Sequence, residues 1–248
     1  MAEKVDKRDN ARRFLDAFHG IEQVLRKRVE WTGSHPPGFA HLVKHSGNLL
    51  TQPQRERLLE LADLRNAIAH HPFTPDGRPW ADPRDETVEW IEAQLAVIDN
   101  PPHVLTVLKP EKPVTFDADD DVKRFLDEAV ARDDYSQAPY RDKEGRLQLI
   151  TTNAVTRWIA ANYTGEDGVK VEPERIGAIA ERYSEHNDWV HFAPRAMHAA
   201  EALNLFAGSA EKHPPAAIIV TENGHEKDTP LALVSPWDIP ALSAALML

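Results

Sequence analysis

An arginine, an asparagine and a histidine stand close together late in a helical stretch, as Arg65, Asn66 and His70. On an α-helix, positions 66 and 70 lie one turn apart on the same face, and the long side chain of Arg65 reaches the same region. A histidine can move a proton near neutral pH, and an arginine can neutralise charge on phosphoryl oxygens. These three residues are therefore suited to cleaving a phosphodiester, and we take them as the candidate catalytic residues.

A purely structural interpretation of the same segment stays open. Arg65 could form an ion pair with a neighbouring carboxylate, at Glu60 or Asp63. His70 and His71 could simply end the helix, where cations suit the helix dipole. Under this interpretation the arginine has a carboxylate partner on its own helix.

The apolar residues of the first hundred positions recur at helical spacing and predict an all-α helix bundle. A first helix is predicted from Asp9 to about Glu30, with the apolar stripe Phe14, Phe18, Ile21, Leu25 and Val29. A short helix from Phe39 to His45 follows a cluster of glycine and proline. Thr51 is placed as the N-cap of the helix that carries the candidate catalytic residues and ends at His71-Pro72. Val88, Ile91, Leu95 and Ile98 mark a fourth helix.

The segment around Arg65 resembles the HEPN family, whose motif is an arginine, a usually polar residue, three further residues and a histidine in an all-helical bundle. Arg65, Asn66 and His70 occupy the motif positions. The resemblance implies a metal-independent site at a homodimer interface that cuts single-stranded RNA. His70 would deprotonate a ribose 2′-hydroxyl, Arg65 would stabilise the pentacovalent phosphate and Asn66 would orient one or both, leaving a 2′,3′-cyclic phosphate.

Beyond a proline-containing linker at residues 100–113 the chain changes to strands and helices, and it repeats itself. The strand Val114 to Phe116 is followed by a predicted helix from Asp119 to Arg132. Its counterpart lies 76 residues later, in Val190 to Phe192 followed by a predicted helix from Arg195 to Glu211. The segment Gly145 to Asn153 and the helix after it correspond to Pro230 to Asp238 and the final helix, with Leu147 matching Leu231 and Thr151 matching Ser235 at an offset of 84. The predicted domains are thus a helical domain at 1–99, the linker, and two β-α-β-β-α repeats at 114–165 and 166–248.

The repeat resembles a tandem pair of CBS modules, a family that binds adenine nucleotides in the clefts between modules. The family pattern ends in Thr or Ser, two residues, then Asp, and Ser235 with Asp238 satisfies it. The carboxylate would accept the ribose hydroxyls, and Arg195 would add a cation for phosphates near a helix N-terminus. In the first repeat Thr151 is also a candidate nucleotide-binding residue, but Ala154 replaces the aspartate, so we expect one competent site and one degenerate one. The alternative is that Asp238 merely caps the final helix.

Composition narrows the class of protein. The chain of 248 residues has no cysteine, no apolar stretch of membrane-spanning length and no signal peptide, which predicts a cytoplasmic protein. The net charge of −11 opposes general nucleic-acid coating, but most of it lies beyond residue 100, and the run Arg26 to Arg28 could meet a polyanion or be a solvated helix face. His41 and His45 could form half of a metal site, yet nothing completes it, and we expect no metal.

Together these features predict a nucleotide-regulated, metal-independent endoribonuclease, assembled at least as a homodimer and acting on single-stranded RNA. No cofactor is expected for catalysis, and an adenine nucleotide is the expected regulatory ligand. The alternative is a non-catalytic sensor, in which the helical domain dimerises or docks a partner or RNA and the repeat binds the nucleotide. The acidity of the chain favours the sensor, whereas the intact set of Arg65, Asn66 and His70 favours the enzyme.

Overall fold

The computed structural model describes residues 10–70, 81–162, 174–209 and 213–248. For His70 the backbone is described, but the side chain lies outside the described set. The described residues form two compact units. The helical unit contains those up to His103 together with His198–Asn204 and Ala241–Leu248, and the sheet unit contains Val104–Met197 and Leu205–Pro240.

Four helices form most of the helical unit, namely α1 (Asn10–Arg28), α2 (Phe39–Lys44), α3 (Gln52–His70) and α4 (Asp85–Asp99). The apolar stripe predicted for α1 is buried along its whole length. A β-carbon added at Gly20 would lie 2.7 Å from Cδ2 of Leu95, so α1 and α4 approach each other more closely than a larger residue would allow. Side chains from all four helices meet in one core.

A buried amide pair fixes the chain terminus to this bundle. Gln94 is fully buried on α4, and its Nε2 donates to the carbonyl of Leu246 at 2.9 Å. Its Oε1 accepts from Nε2 of Gln54 at 2.8 Å, while Oε1 of Gln54 accepts from the backbone N–H of Thr51 at 2.8 Å. Because buried amides are costly when unpaired, these bonds set the relative positions of α3, α4 and the last residues.

The sheet unit contains two three-stranded sheets with the same topology. In each sheet the first and second strands are parallel, and the second and third are antiparallel. The strands are β1 (Phe116–Asp117), β2 (Gln137–Arg141), β3 (Leu147–Thr151), β4 (Val190–Pro194), β5 (Ala217–Thr221) and β6 (Pro230–Val234). The structure thus contains the strand repeat that the internal similarity of the sequence predicts.

The remaining helices are α5 (Val104–Leu108), α6 (Val122–Phe125), α7 (Thr152–Ala161), α8 (Ile176–Tyr183), α9 (Ala199–Ala207) and α10 (Ile239–Ala245). Most of α9 and of α10 belongs to the helical unit. The chain continues beyond α6 as a π-helical segment, Leu126–Arg132. Both α6 and α9 begin later than the sequence predicts, because Asp121 caps α6 through Lys123 N–H and because residues 195–198 form a turn after β4.

The turns of the two sheets contact each other within the sheet unit. The backbone N–H of Leu147 donates to the carbonyl of Glu226 at 2.7 Å, and Nη2 of Arg141 donates to the carbonyl of Asp228 at 3.1 Å. Gly145 and Gly224 occupy the two turns with φ of 75° and 79°, a conformation that side chains disfavour. The repeats are therefore joined at their β-turns as well as through the chain.

Helix α8 is not among the helices predicted from the sequence, and it packs on the core of the first repeat. Ile176 and Ile179 are fully buried there. Gly177 lies so close to Ala118 that an added β-carbon would be 2.9 Å from the alanine Cβ. The predicted boundary between repeats, at residues 165 and 166, and the predicted helix end at Glu211 lie outside the described residues.

Candidate functional site

The candidate catalytic residues lie in the last turns of α3. Asn66 is exposed, and Arg65 is half-buried with its Cζ 6.0 Å from the centre of the Phe18 ring. Nη1 of Arg65 donates to Oδ1 of Asn66 at 3.1 Å, so the two polar groups are together at the surface. The backbone of α3 places position 70 one turn beyond Asn66 on the same face, as a helix requires.

The ion pair expected under the structural interpretation is not formed. Neither Glu60 nor Asp63 lies within ion-pairing distance of Arg65, and no other described carboxylate pairs with it. Among the described residues the guanidinium is thus held by an aromatic ring and a neutral amide. An arginine placed in this way keeps N–H groups for an anionic ligand.

Thr151 lies in a buried polar network rather than at an open site. Its hydroxyl donates to Oδ1 of Asp188 at 2.7 Å and accepts from the N–H of Ala154 at 3.1 Å, which caps α7. Asp188 is 1% exposed in its side chain, and its Oδ2 accepts from Arg157 and, at 2.9 Å, from the N–H of Glu185. Thr151 therefore has no free hydrogen-bonding group directed at solvent.

Asp188 and Arg157 are residues that the sequence reading missed. Asp188 is 37 positions from Thr151 along the chain, and no local spacing links the two. Nε of Arg157 also donates to the carbonyl of Tyr183 at 2.7 Å, so the network joins α7 to the end of α8. Ala154, at the position where the second repeat has its aspartate, is fully buried.

Ser235 and Asp238 adopt a closed turn before α10. Oδ2 of Asp238 accepts from the N–H of Ser235 at 2.8 Å and from the Ser235 hydroxyl at 3.3 Å. The backbone N–H of Asp238 also donates to the backbone carbonyl of Ser235 at 3.0 Å. The acceptance by Oδ2 from the Ser235 N–H is the part of a capping box that Asp238 supplies. Within the described part of the chain Oδ1 of Asp238 accepts no hydrogen bond. In Asp238 one carboxylate oxygen, Oδ2, therefore caps the turn, and the other, Oδ1, is free to accept hydrogen bonds from a ligand.

Trp237, between the two, was not singled out from the sequence. It is 87% exposed, the largest exposure among the described large apolar side chains. Pro236 before it and the capping box around it restrict the backbone of this turn. A flat aromatic ring and a free carboxylate oxygen are therefore presented on adjacent residues.

Arg195 lies in the turn between β4 and α9, four residues before the helix begins. Its Nε donates to Oε2 of Glu222 at 2.9 Å, and both side chains are more than half exposed. An exposed pair of this kind contributes little stability and can exchange partners. The structure gives no hydrogen bond or ion pair between Arg195 and either Ser235 or Asp238.

No group of three metal-binding side chains occurs among the described residues. His41 and His45 instead stack on each other, with ring centres 3.8 Å apart. Within the same described ranges, none of the helices has the length and apolar character needed to span a bilayer.

Comparisons with known proteins give only distant similarities. No protein-family model matches the chain, and no curated protein matches it either. Among solved structures, the CBS domain of a CBS domain containing membrane protein from Sphaerobacter thermophilus has a TM-score of 0.43 at 17% identity, covering 63% of this chain and 96% of that one. A CBS domain-containing protein of unknown function from Bacillus anthracis str. Ames Ancestor has a TM-score of 0.38 at 14% identity, covering 57% and 92%. At these scores the likeness carries no argument about function.

Proposed function

We propose that this protein is a metal-independent endoribonuclease of the HEPN type, cutting single-stranded RNA as a homodimer under the control of a nucleotide bound by the second repeat. The observation that supports it most is the state of Arg65, which is at the surface beside Asn66 without a described carboxylate partner. A structural arginine would be expected to pair with a carboxylate, and among the described residues Arg65 pairs with none. An arginine that serves a phosphate would be left available, as it is here.

In the proposed reaction His70 removes the proton of a ribose 2′-hydroxyl, and the resulting oxygen attacks the adjacent phosphorus. The bond from phosphorus to the 5′-oxygen breaks, and that oxygen takes up a proton from solvent water, while the proton on His70 returns to solvent. Arg65 binds the phosphoryl oxygens, whose negative charge is greatest in the pentacovalent state. Asn66 holds the guanidinium through the bond of 3.1 Å and so orients it. The products are a 2′,3′-cyclic phosphate and a 5′-hydroxyl.

Cleavage is tested with mixed single-stranded RNA in EDTA, scored by fragments that end in a cyclic phosphate. Because general acid–base catalysis contributes about 10² to 10⁴ in rate, His70→Ala should lower cleavage by at least about a hundredfold. Arg65→Ala should do the same through the loss of charge stabilisation. His19→Ala is the matched control, since His19 is an exposed histidine of the same unit on α1. Equal rates for wild type and His70→Ala would end the assignment as an enzyme.

The regulatory part of the proposal places an adenine nucleotide at the turn of Ser235 and Asp238. The free Oδ1 of Asp238 is positioned to accept ribose hydroxyls while Oδ2 keeps the turn closed. Thr151, in the first repeat, is already bound to Asp188 and has no such group to offer. One nucleotide per chain is therefore expected.

Titration calorimetry with ATP, ADP and AMP measures this site. Each charge-assisted hydrogen bond contributes about 1.5–3 kcal/mol, so Asp238→Ala should weaken binding by a factor of about ten or more. Asp238→Asn keeps most of the turn and separates the loss of charge from the loss of the cap. Asp127→Ala is the control, because it removes an exposed carboxylate of the first repeat. Affinity that is unaffected by Asp238→Ala would place any nucleotide elsewhere.

The second candidate function is a non-catalytic sensor, and the self-contained turn of Ser235 and Asp238 is the observation in its favour. Hydrogen bonds between Ser235 and Asp238 already order the backbone of that turn, which lowers the entropic cost of binding a ligand. A chain that binds nucleotide and leaves RNA uncut in EDTA would be assigned to this class.

A further inference from the structure

Three aromatic rings form a ladder on the surface of the helical unit, between the end of α1 and α2. The rings of His41 and His45 stack with centres 3.8 Å apart and planes 19° from parallel. The indole of Trp31 meets His41 edge-on at 4.6 Å. Trp31 is 44% exposed, and His45 is exposed at the outer end of the ladder.

The ladder is held in place by its own hydrogen bonds. Nε1 of Trp31 donates to the carbonyl of His35 at 2.7 Å, and Nδ1 of His45 lies 2.9 Å from the carbonyl of His41. A β-carbon added at Gly33 would lie 2.1 Å from the indole, so the backbone of that loop covers one side of Trp31. The rings are thus ordered before any ligand binds, and His45 remains open for a further ring to stack on.

The charge around the ladder is opposite to that of the chain as a whole. Residues 26–45 contain four Lys and Arg against one Asp or Glu, a net of +3 (4 − 1), whereas the chain carries −11. Arg26, Lys27, Arg28 and Lys44 are all exposed. Arg26 pairs with Glu22, and Arg28 donates to the backbone carbonyl of Asp99. Lys27 and Lys44 form no ion pair within the described part of the chain.

We infer that this surface, which we name the ladder surface (residues 26–31 and 41–45), binds single-stranded RNA by stacking a base on His45 and contacting phosphates through Lys27 and Lys44. Ordered aromatic rings beside uncommitted cations are the two elements that proteins use for single strands without sequence preference. The inference rests on the proposed function, because it supplies a docking surface for the RNA cut elsewhere on the same unit. A protein partner would need a larger apolar area than these rings expose.

The test measures binding by the full chain of a short labelled single-stranded RNA, using fluorescence anisotropy in EDTA and in a His70→Ala background. His45→Ala should weaken binding about fivefold to tenfold, because one stacked base is lost. His45→Phe should bind as well as or better than the parent, since it keeps the ring and removes the polar atoms. The double variant Lys27→Ala/Lys44→Ala should lower the slope of log affinity against log salt by about 1.4.

Matched controls are His19→Ala for the ring and Arg12→Ala/Lys123→Ala for the charge, because these residues are also exposed. Equal binding by ladder and control variants would overturn the inference even if the enzyme cleaves RNA. Selective weakening of the ladder variants, with no cleavage by wild type, would support the inference while the enzyme assignment fails. A dimer that dissociates in the ladder variants without loss of RNA affinity would assign the surface to contact between copies of the chain, and would also overturn it.

Discussion

Asp188 offers the sharpest test of how the first repeat is built. Its carboxylate accepts from the hydroxyl of Thr151 at 2.7 Å, from the N–H of Glu185 at 2.9 Å and from the guanidinium of Arg157. The Asp188 side chain is 1% exposed, whereas that of Arg157 is 32% exposed. Asp188→Ala therefore removes the acceptor that three donors share, and of these donors water most easily reaches the guanidinium of Arg157.

The expected loss of stability in Asp188→Ala follows from the hydrogen-bond donors that lose their acceptor. Breaking a buried ion pair by removing one member costs about 3–5 kcal/mol, because the remaining charge and donors lose their acceptor. The partial exposure of Arg157 favours the lower part of that range. For a chain of this length each kcal/mol lowers Tm by about 2–4 °C, so Asp188→Ala should melt about 6–15 °C below wild type. Asp188→Asn keeps the shape of the side chain and loses its charge, so its Tm should lie between those of wild type and Asp188→Ala.

Thermal melts followed by far-UV circular dichroism and by tryptophan fluorescence measure the change, with two probes because two units need not unfold together. Asp127→Ala is the control, since Asp127 pairs with Lys123 at an exposed position and should leave the melt unchanged. A melt of Asp188→Ala within 2 °C of the control, a difference that corresponds to about 1 kcal/mol or less, would refute the reasoning. Thr151 would then be available for a ligand, and the expectation of one nucleotide site would be withdrawn.

Three further predictions concern single residues. Burial, followed by the charges of Asp142 and Glu181, raises the pKa of Tyr140 to about 12. Phenolate absorbance should therefore show one tyrosine that ionises late, and this late step should be absent in Tyr140→Phe. The free energy of unfolding should fall between about pH 10 and 12, because Tyr140 ionises first in the unfolded chain. Burial, followed by the charge of His103, lowers the pKa of His198, so the folded chain binds that proton at a lower pH than the unfolded chain. Tm should therefore decrease as the pH is lowered below about 6.5, and His198→Gln should remove this part of the pH dependence. Gly177→Val should lower stability by about 1–3 kcal/mol in urea melts, because its side chain would overlap Ala118.

The helix bundle and the strand repeat were accessible from the sequence because both are local patterns. The stripe of α1, from Phe14 to Val29, is spaced by three and four residues and is buried as that spacing requires. The repeat is visible in the sequence as two similar segments offset by 76 to 84 residues, and the two sheets share one topology. Where helices begin was less accessible, since α9 begins at Ala199 rather than at Arg195 and nothing in composition marks the intervening turn.

The site was accessible only in part, because its decisive contacts are not local. Motif spacing singled out Ser235 and Asp238, which share hydrogen bonds in one turn, and their ligand role stays a prediction. The same spacing gave Thr151 a ligand role without revealing that Asp188, 37 residues away, already occupies its hydroxyl. Pairing at that distance depends on how α8 and β4 pack, and a single sequence carries no record of it. His70 stays a prediction, because its side chain is outside the described residues.

Control of cleavage by a nucleotide requires more than two sites in one chain. A ligand at Asp238 would change the proposed activity of Arg65 and His70 only by binding one state of the chain better than another. Asp238 lies three residues before Ala241, where the chain enters the helical unit, and the buried Gln94 holds the carbonyl of Leu246 in that final segment. If the two sites are coupled, the factor by which nucleotide changes RNA affinity equals the factor by which RNA changes nucleotide affinity. Two functions that merely share a chain would leave both affinities unchanged.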